Sequence, residues 1–436
     1  MMEEQIINNS EIKLADDLAS KGDRAFLSYT WKLNKSHDDS YDSSDVNPYS
    51  DDSWANDITY PEHDLKMAFD YYQQALAKYQ NVLGSDHIKT GEILFNCGRV
   101  CEDPMYDDVI ALDFLERALP IYQKEKPHSR DLAILYEDLG SVCFALNKLP
   151  SSLDYYNKSI SLFNELAICG EEEDVSSLKE KINDAEAKLG LHIIHDKDKC
   201  GFADKEGNVI IPSIWNDVQK FSDGLAAVKN EENLCGFVNY LGELVIPCCF
   251  RNADSFKNGM ACVEANIDDI FPHTAYIDKD DYRVAYDYEL KPYQIEAVYK
   301  AVVLAKHRKF LEAAECISPA VSSLDSNPRI RQLTYYSFAD QYDKVVEICE
   351  KICRFDERPE LVCYANQLLG YCYEEGRGVE KDLLKAFRHF NAMRLCNDIS
   401  DDDYQLLDNF LERHPELKEL PEVQNALAPI DDDEDY

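Results

Sequence analysis

Paired cysteines and histidines are the residues of this 436-residue sequence that could hold a metal ion. Two cysteine pairs have a spacing of four residues, which places both thiols on one helix face: Cys97/Cys101 and Cys349/Cys353. Neither is a CxxC motif with a matching second pair, and the adjacent Cys248/Cys249 are not one either. His192 and His195 have no convincing third ligand in the sequence. We therefore predict no metal and no cofactor, and we interpret these cysteines as small buried residues.

Motifs for catalysis are missing from the sequence. It contains no phosphate loop, dinucleotide fingerprint, HExxH pair or GxSxG elbow. Carboxylate pairs have no diagnostic value, because 84 acidic residues are spread along the chain. We predict a protein that is not an enzyme and has no catalytic residues. The alternative is an enzyme with a diverged site within residues 193–290, which a bound metal or a deep polar pocket there would support.

The charge balance is strongly acidic. Against the 84 acidic side chains there are 45 basic ones, a formal net charge of -39. This charge disfavours binding to nucleic acid and to anionic membranes. It is explained either by solubility alone or by attraction of a basic protein partner. The N-terminus lacks a signal peptide, no apolar run is long enough to span a bilayer, and fifteen cysteines suit a reducing compartment. We expect a soluble cytoplasmic protein.

A segment of 35 residues repeats in the middle of the chain. CGFADKEGNVIIP at Cys200–Pro212 returns as CGFVNYLGELVIP at Cys235–Pro247. Glycines recur in register at 201/236, 207/242 and 224/259, which predicts a strand, a tight turn and a returning strand in each unit. These units resemble WG repeats of bacterial proteins over about 193–263, with a degenerate third unit at 276–279. Cys200 and Cys235 replace the signature tryptophan of that family. Trp215 and Phe250 occupy equivalent positions and are predicted to pack in the core.

The first half of the chain has helical periodicity. Apolar positions predict a helix at 11–33 with a break near Gly22, followed by an acidic loop at 36–57. Apolar stripes then recur, and two matching segments place Gly98 and Gly140 at an offset of 42 residues. Residues 60–166 resemble long-period tetratricopeptide repeats. They depart from that pattern at Asp103-Pro104, where the turn is longer, and at two serines in place of alanine. A polar capping helix is predicted at 170–190, ended by Gly190.

Helical periodicity resumes after residue 291. Two helix pairs are predicted, with Phe310 and Tyr342 at corresponding turns. The segment 368–390 resembles a Sel-one-like repeat through Leu369, Gly370, Tyr373, Gly376, Gly378, Val379, Asp382, Lys385, Ala386 and Phe390. Closing helices are predicted at 401–412 and 415–427, and the acidic tail 429–436 is predicted to be disordered.

The resemblance to tetratricopeptide repeats implies that the first helices of the repeats line a peptide-binding groove. The candidate groove residues are Glu92, Asn96, Arg99, Glu137 and Asp138. Asn96 matches the asparagine that some family members use to hold a terminal carboxylate, but Asp138 and Glu92 replace the other residues of that clamp. We therefore expect an acidic groove, with Arg99 as a minor counter-charge, for a basic or neutral peptide. The alternative is a solvated surface with no partner.

Together these patterns predict a mostly α-helical protein. It comprises an N-terminal helix (1–35), the acidic loop (36–57), a tetratricopeptide-like α-solenoid (58–190), an inserted WG-like β-repeat module (191–290), a second tetratricopeptide and Sel-one-like solenoid (291–428) and the tail (429–436). The resemblances imply a bacterial protein. We expect a non-catalytic scaffold or adaptor that binds protein or peptide partners. An acidic regulatory or immunity-type protein that sequesters one basic target is the alternative. Partner identity, pathway and oligomeric state stay open.

Overall fold

The computed structural model describes residues 2–36, 61–102, 107–265, 273–279, 283–286, 290–321, 326–394 and 401–427. In these ranges the protein is mostly helical, and a small antiparallel β region separates two helical parts along the chain. The chain forms two compact units, Met1–Ala261 and Cys262–Tyr436. The acidic loop predicted at 36–57, the turn at Asp103-Pro104 and the acidic tail lie outside the described residues, except for Ser36.

The first unit begins with helices that pack in consecutive pairs. They are α1 (Met2–Ser36), α2 (Pro61–Leu83), α3 (Ile88–Cys101), α4 (Asp108–Glu125), α5 (Arg130–Ala145), α6 (Leu149–Ile168) and α7 (Ser176–Leu189). Local sequence sets several of these starts. Asp107 caps α4 by accepting a hydrogen bond from the Val109 amide (2.8 Å), and Ser129 caps α5 by accepting one from the Leu132 amide (3.2 Å).

Apolar stripes of the even-numbered helices supply a large part of the core of this helical part. The buried stripe residues are Ala68, Tyr72, Ala75 and Leu76 on α2, Ala111, Leu115 and Ala118 on α4, and Leu153 and Tyr156 on α6. They join one cluster with apolar residues of the odd-numbered helices. The stripes predicted from the sequence are thus core positions.

Glycines allow each pair of helices to cross closely. A Cβ atom at Gly98 would lie 2.6 Å from Leu115 Cγ, and one at Gly140 would lie 2.5 Å from Tyr156 Cε1. The same relation holds in the first pair, where a Cβ atom at Gly22 would lie 2.5 Å from Tyr72 Cε1. The predicted break near Gly22 is wrong, because α1 is continuous from Met2 to Ser36. Gly22 is a crossing glycine in an unbroken helix.

Helix α7 leads into the β region. It ends at Gly190, whose left-handed backbone (φ 58°) suits glycine and confirms the predicted stop. The strands of the first unit are β1 (His192–Asp196), β2 (Lys199–Ala203), β3 (Val209–Trp215), β4 (Asp217–Val218), β5 (Ala226–Lys229), β6 (Cys235–Val238) and β7 (Leu244–Ala253), and β8 (Met260–Ala265) follows. Strands β1, β2 and β3 form one sheet, and β4, β5, β6 and β7 are successive neighbours in another.

The two 35-residue units adopt the same hairpin. Cys200 pairs with Trp215 across β2 and β3, and Cys235 pairs with Phe250 across β6 and β7. The predicted equivalence of the two aromatic residues is therefore confirmed. Phe250 is buried, whereas Trp215 is half-buried and packs against the apolar cluster of the first hairpin. Each aromatic thus lies opposite the first cysteine of its repeat.

The β region packs directly on the last helices of the first unit. Tyr240 belongs to the helical core cluster, and its hydroxyl donates a hydrogen bond to Glu186 on α7 (2.9 Å). The Lys205 amide donates to the Leu189 carbonyl (3.0 Å). A Cβ atom at Gly224 would lie 2.7 Å from Asn157 Cβ on α6. The helical core and the apolar cluster of the first hairpin therefore adjoin each other, since Leu191, Ile210 and Phe221 pack against both.

The second unit contains a strand pair and a further set of helices. Its elements are β9 (His273–Asp278), β10 (Arg283–Tyr286), α8 (Pro292–Lys306), α9 (Phe310–Cys316), α10 (Asn327–Phe338), α11 (Tyr342–Phe355), α12 (Pro359–Glu375), α13 (Leu383–Arg394), α14 (Asp401–Arg413) and α15 (Pro421–Leu427). Phe310 and Tyr342 each begin the second helix of a pair, as predicted. The degenerate third repeat predicted at 276–279 falls at the end of β9.

Close crossings recur in the second unit. A Cβ atom at Gly370 would lie 2.6 Å from Phe390 Cε1, between α12 and α13. Gly378 has a positive φ of 69° and approaches the Asp343 amide so closely that a Cβ atom would lie 2.7 Å from it. Helix α14 matches its predicted bounds within one residue. The helix predicted at 415–427 is instead a 3-10 turn (Pro415–Glu419) and the short α15, because Pro421 starts a new helix.

Candidate functional site

Polar side chains of the odd-numbered helices of the first unit, together with Lys126 at the end of α4, contact one another from helix to helix. We call this surface the first-helix face. It comprises Asp16, Asp23, Lys89, Glu92, Asn96, Arg99, Lys126, Asp131, Glu137, Asp138 and Lys181. All five residues predicted for the groove belong to it, and the fold places each of them in a contact that links neighbouring helices of the face.

Helices α1 and α3 are joined at the first end of this face. Lys89 Nζ lies 2.5 Å from Asp16 Oδ1, and Asn96 Nδ2 donates to Asp23 Oδ1 at 3.4 Å. Tyr79 also donates its hydroxyl to Asp16 (2.5 Å). Partial burial would raise the pKa of Asp16, but the hydrogen bonds from Lys89 and Tyr79 outweigh it and hold that pKa below its usual value. Asp16 is therefore an ionised anchor of the face.

One lysine connects α3 to α5. Lys126, which caps the end of α4, lies 2.9 Å from Glu92 Oε1 and 3.2 Å from Asp131 Oδ2. Its hydrogen bond to Glu92 raises the pKa of Lys126, so the ammonium stays charged. The Glu92 and Asp131 side chains are 43% and 50% exposed, which leaves both carboxylates open to a partner. Exposed pairs of this kind contribute at most about 1 kcal/mol and exchange readily.

Arg99 lies at the centre of the first-helix face, and Lys181 lies at its end on α7. Arg99 Nε lies 3.7 Å from Asp138 Oδ2, and its guanidinium also lies over the Phe26 ring, 5.5 Å from the centroid. Lys181 on α7 donates to Glu137 Oε1 at 2.6 Å. Burial lowers the pKa of Lys181, but the bond to Glu137 reverses this and raises it. Each of the three predicted acids therefore has a cation beside it.

Two carboxyl oxygens near Arg99 are buried without a hydrogen bond. They are Glu102 Oε1 at the end of α3 and Asp138 Oδ2 on α5, and neither has a hydrogen-bond donor in the described part of the chain. Burial raises the pKa of both carboxyls, and the negative charge of Asp138 raises that of Glu102 further. Arg99 opposes the shift at both residues. This part of the face therefore carries less negative charge at neutral pH than its residue types indicate.

Sequence reasoning named three of the six acids of the face and missed most of its cations. The prediction treated Arg99 as a minor counter-charge, whereas the fold adds Lys89, Lys126 and Lys181. Within the defined residues of the face, six carboxylates stand against four cations. The acidic excess is therefore smaller than predicted. Asp16 and Asp23 on α1 were missed as well, because the repeat spacing does not reveal that Gly22 corresponds to Gly98 and Gly140; Asp131 was also missed.

Of the paired cysteines, Cys97, Cys101 and Cys349 are buried and Cys248 and Cys353 are half-buried, whereas Cys249 is exposed, so the interpretation as a buried residue is wrong for Cys249. Cys97 and Cys101 are buried on α3, and burial raises the pKa of Cys101 to about 12 and that of Cys97 further. Burial also strongly raises the pKa of Cys349. The surroundings of these three cysteines match the interpretation as small apolar residues.

The histidine pair lies on strand β1. His192 and His195 are three residues apart, so their side chains point to opposite sides of the strand. His195 Nδ1 lies 3.2 Å from Cys200 Sγ on β2. Two side chains on opposite faces cannot ligate one ion, and this geometry gives the pair no joint chemical role.

No helix in the described ranges has the length and apolar character needed to cross a lipid bilayer. The protein is mostly helical and has a small β region that is built from repeats. Residues 201–233 and 236–266 match the family model described as WG containing repeat. These two matched stretches begin 35 residues apart, in agreement with the repeat found in the sequence. A search of curated proteins finds no match to this chain.

Proposed function

We propose that this protein is a non-catalytic interaction scaffold that binds a peptide or protein partner on the first-helix face. The observation that carries the proposal is the continuity of this face across α1, α3, α5 and α7. Helix-to-helix contacts such as Lys89–Asp16 and Lys181–Glu137 form one extended polar surface, the kind of surface on which repeat proteins recognise extended partners.

We infer that both helical parts of the chain are repeat solenoids. In the first unit, Gly22, Gly98 and Gly140 all lie under a large side chain of the following helix, which supports a tetratricopeptide-like repeat of three pairs. In the second unit, Gly370 under Phe390 supports a Sel-one-like pair. Each pair leaves an apolar face that only a neighbouring pair covers, which is the reason that such repeats occur in arrays.

We infer a basic or neutral partner. The first-helix face has six carboxyl groups against four cations, an excess that the raised pKa of Asp138 reduces near neutral pH, and the whole chain carries a net charge of -39. A lysine or arginine of the partner would compete with Lys126 for Glu92 and Asp131, whose side chains are about half exposed. Such exchange costs little, because each internal pair at the surface is weak.

Charge reversal at the face tests this proposal. A Glu92→Lys, Asp131→Lys variant and a control variant, Asp113→Lys, Glu116→Lys, alter the net charge equally. Asp113 and Glu116 are exposed on α4, away from the contacts that define the face. In pull-downs from native lysate with mass spectrometry, we expect a defined protein that the wild type and the control retain and the face variant loses. Equal retention by all three proteins would contradict the proposal.

A second candidate is sequestration of one basic target by the overall acidity of the chain. The charge of -39 favours it, since long-range attraction does not require a defined groove. Salt separates the two candidates. Sequestration by net charge should be lost steeply as ionic strength rises, and both double variants should weaken it equally. A groove partner should be affected mainly by the face variant.

A further inference from the structure

A cavity lies where the helices of the first unit meet the β region. It has a volume of about 430 Å³, within the range of roughly 300–1,000 Å³ that is typical of small-molecule sites. Leu153 of α6, Leu189 at the end of α7 and Phe202 of β2 line it with buried apolar side chains. The chain reverses at Gly190 beside the cavity, so its shape is set by the junction of α7 and β1.

An aromatic wall forms one side of the cavity. The rings of Phe221 and Tyr240 are stacked, with centroids 4.1 Å apart and an interplanar angle of 11°. The second repeat offers a comparison, because Phe256 is the counterpart of Phe221 at the offset of 35 residues. Phe256 is fully buried against Phe237, whereas Phe221 is only half-buried and lines the cavity. The equivalent phenylalanine is therefore fully buried in the second repeat and borders the cavity in the first, which we call the open repeat.

The cavity also has one acidic and one basic side chain. Glu186 accepts a hydrogen bond from the Tyr240 hydroxyl through Oε1, which orients its carboxylate at the cavity. Lys220 lines the cavity and forms no ion pair or hydrogen bond with any described residue. Its counterpart in the second repeat, Ser255, donates to Gln219 (2.8 Å). The unpaired cation is therefore specific to the open repeat.

We propose that this cavity binds a small zwitterion with an apolar or aromatic side chain, such as a free hydrophobic amino acid. Lys220 would pair with the carboxylate of the ligand and Glu186 with its ammonium group, as charge-assisted hydrogen bonds. The side chain would contact Phe221 and the apolar wall. This binding site is independent of the function proposed for the first-helix face, since the two share no residue.

Calorimetric titration of the full chain tests the proposal with three related probes. L-phenylalanine carries both charges, 3-phenylpropanoate lacks the ammonium group, and 2-phenylethylamine lacks the carboxylate. We expect L-phenylalanine to bind, and each probe with one charge to bind about tenfold more weakly, the loss expected for one charge-assisted contact. No binding of L-phenylalanine at millimolar concentration, or equal binding of all three probes, would overturn the proposal.

Variants assign the contacts. Lys220→Met should remove the advantage of L-phenylalanine over 2-phenylethylamine, and Glu186→Gln should remove its advantage over 3-phenylpropanoate while it keeps the acceptor for Tyr240. Ile193→Trp should block the cavity without a change of charge. Lys257→Met, an exposed lysine outside the cavity, is the control and should bind as the wild type does. The side chains of Glu186, Lys220 and Lys257 are exposed, so the variants at these three positions should fold. Unchanged binding of L-phenylalanine to Lys220→Met and Ile193→Trp would overturn the assignment.

Discussion

The glycine at the crossing of α5 and α6 gives the sharpest test of the helical packing. In Gly140→Ala the new methyl group would lie 2.5 Å from Tyr156 Cε1, closer than real Cβ contacts. The Tyr156 ring is almost fully buried, so it has little room to move. The helices must therefore separate or the ring must leave its position.

The expected magnitude follows from two opposing effects. Overpacking of a filled core costs about 1–3 kcal/mol, whereas alanine is favoured over glycine inside a helix by about 1 kcal/mol. Gly140→Ala should therefore lower the free energy of unfolding by roughly 1 kcal/mol, within a range of about 0–2 kcal/mol. In a Tyr156→Ala background the clash is absent. There the same substitution should raise the free energy of unfolding by about 1 kcal/mol.

Urea unfolding followed by tryptophan fluorescence is the suitable assay. The three tryptophans of the sequence, at positions 31, 54 and 215, all fall in Met1–Ala261, so the signal reports on the first unit. The double-mutant cycle compares Gly140→Ala with and without Tyr156. If the substitution changed stability by the same amount and sign in both backgrounds, the crossing glycine would not be required by Tyr156, and the packing argument would fail.

Three further outcomes are expected in the first unit. Glu102→Gln should raise the free energy of unfolding by roughly 1–3 kcal/mol at pH 8.5 and by less at pH 5. Burial and a neighbouring carboxylate raise the pKa of Glu102 to about 8, so the wild type loses the protonated form and becomes less stable as the pH rises through this value. Urea titrations at both pH values check this. Gly201→Ala and Gly236→Ala should each cost more than about 3 kcal/mol, since the new methyl group meets backbone atoms of the adjacent strand, and an unchanged urea midpoint would disprove this. Lys32→Met should cost about 3–5 kcal/mol because Lys32 and Asp64 form a buried ion pair at 2.9 Å, and Lys32→Met with Asp64→Leu should recover most of the loss in the same assay.

The sequence was sufficient for features that repeat at a fixed spacing. The 35-residue offset predicted the two hairpins, and the register of Cys200 with Trp215 and of Cys235 with Phe250 agrees with it. The 42-residue offset placed Gly98 and Gly140 at helix crossings. Gly22 was misinterpreted as a break because it lies 76 residues before Gly98, so the repeat period does not reveal it. Only the contact with the α2 aromatic ring shows its role.

The cavity beside α7 could not be predicted from the repeat. Sequence comparison of the two units gives Phe221 and Phe256 equal roles, but Phe256 is fully buried against Phe237, whereas Phe221 is half-buried and lines the cavity beside α6 and α7. Whether a residue borders the cavity depends on the elements that pack against its hairpin. Lys220 carried no signal in the sequence, since an exposed lysine is common on any acidic protein.

The ion pairs of the first-helix face limit how a partner can bind there. Apart from Lys126 and Asp131, which are five positions apart, they join residues that are 34 to 73 positions apart, so the sequence named three of the acids but could not assign their cations. A basic partner must displace these cations or use the remaining acidic excess. A basic group of the partner that displaces Lys126 forms ion pairs with Glu92 and Asp131 in place of those of Lys126. The net gain in binding free energy is therefore only the difference between two similar ion pairs. Tight binding on this face therefore requires apolar or backbone contacts in addition to charge, which is why the matched control on α4, and not salt sensitivity alone, decides whether the face is used.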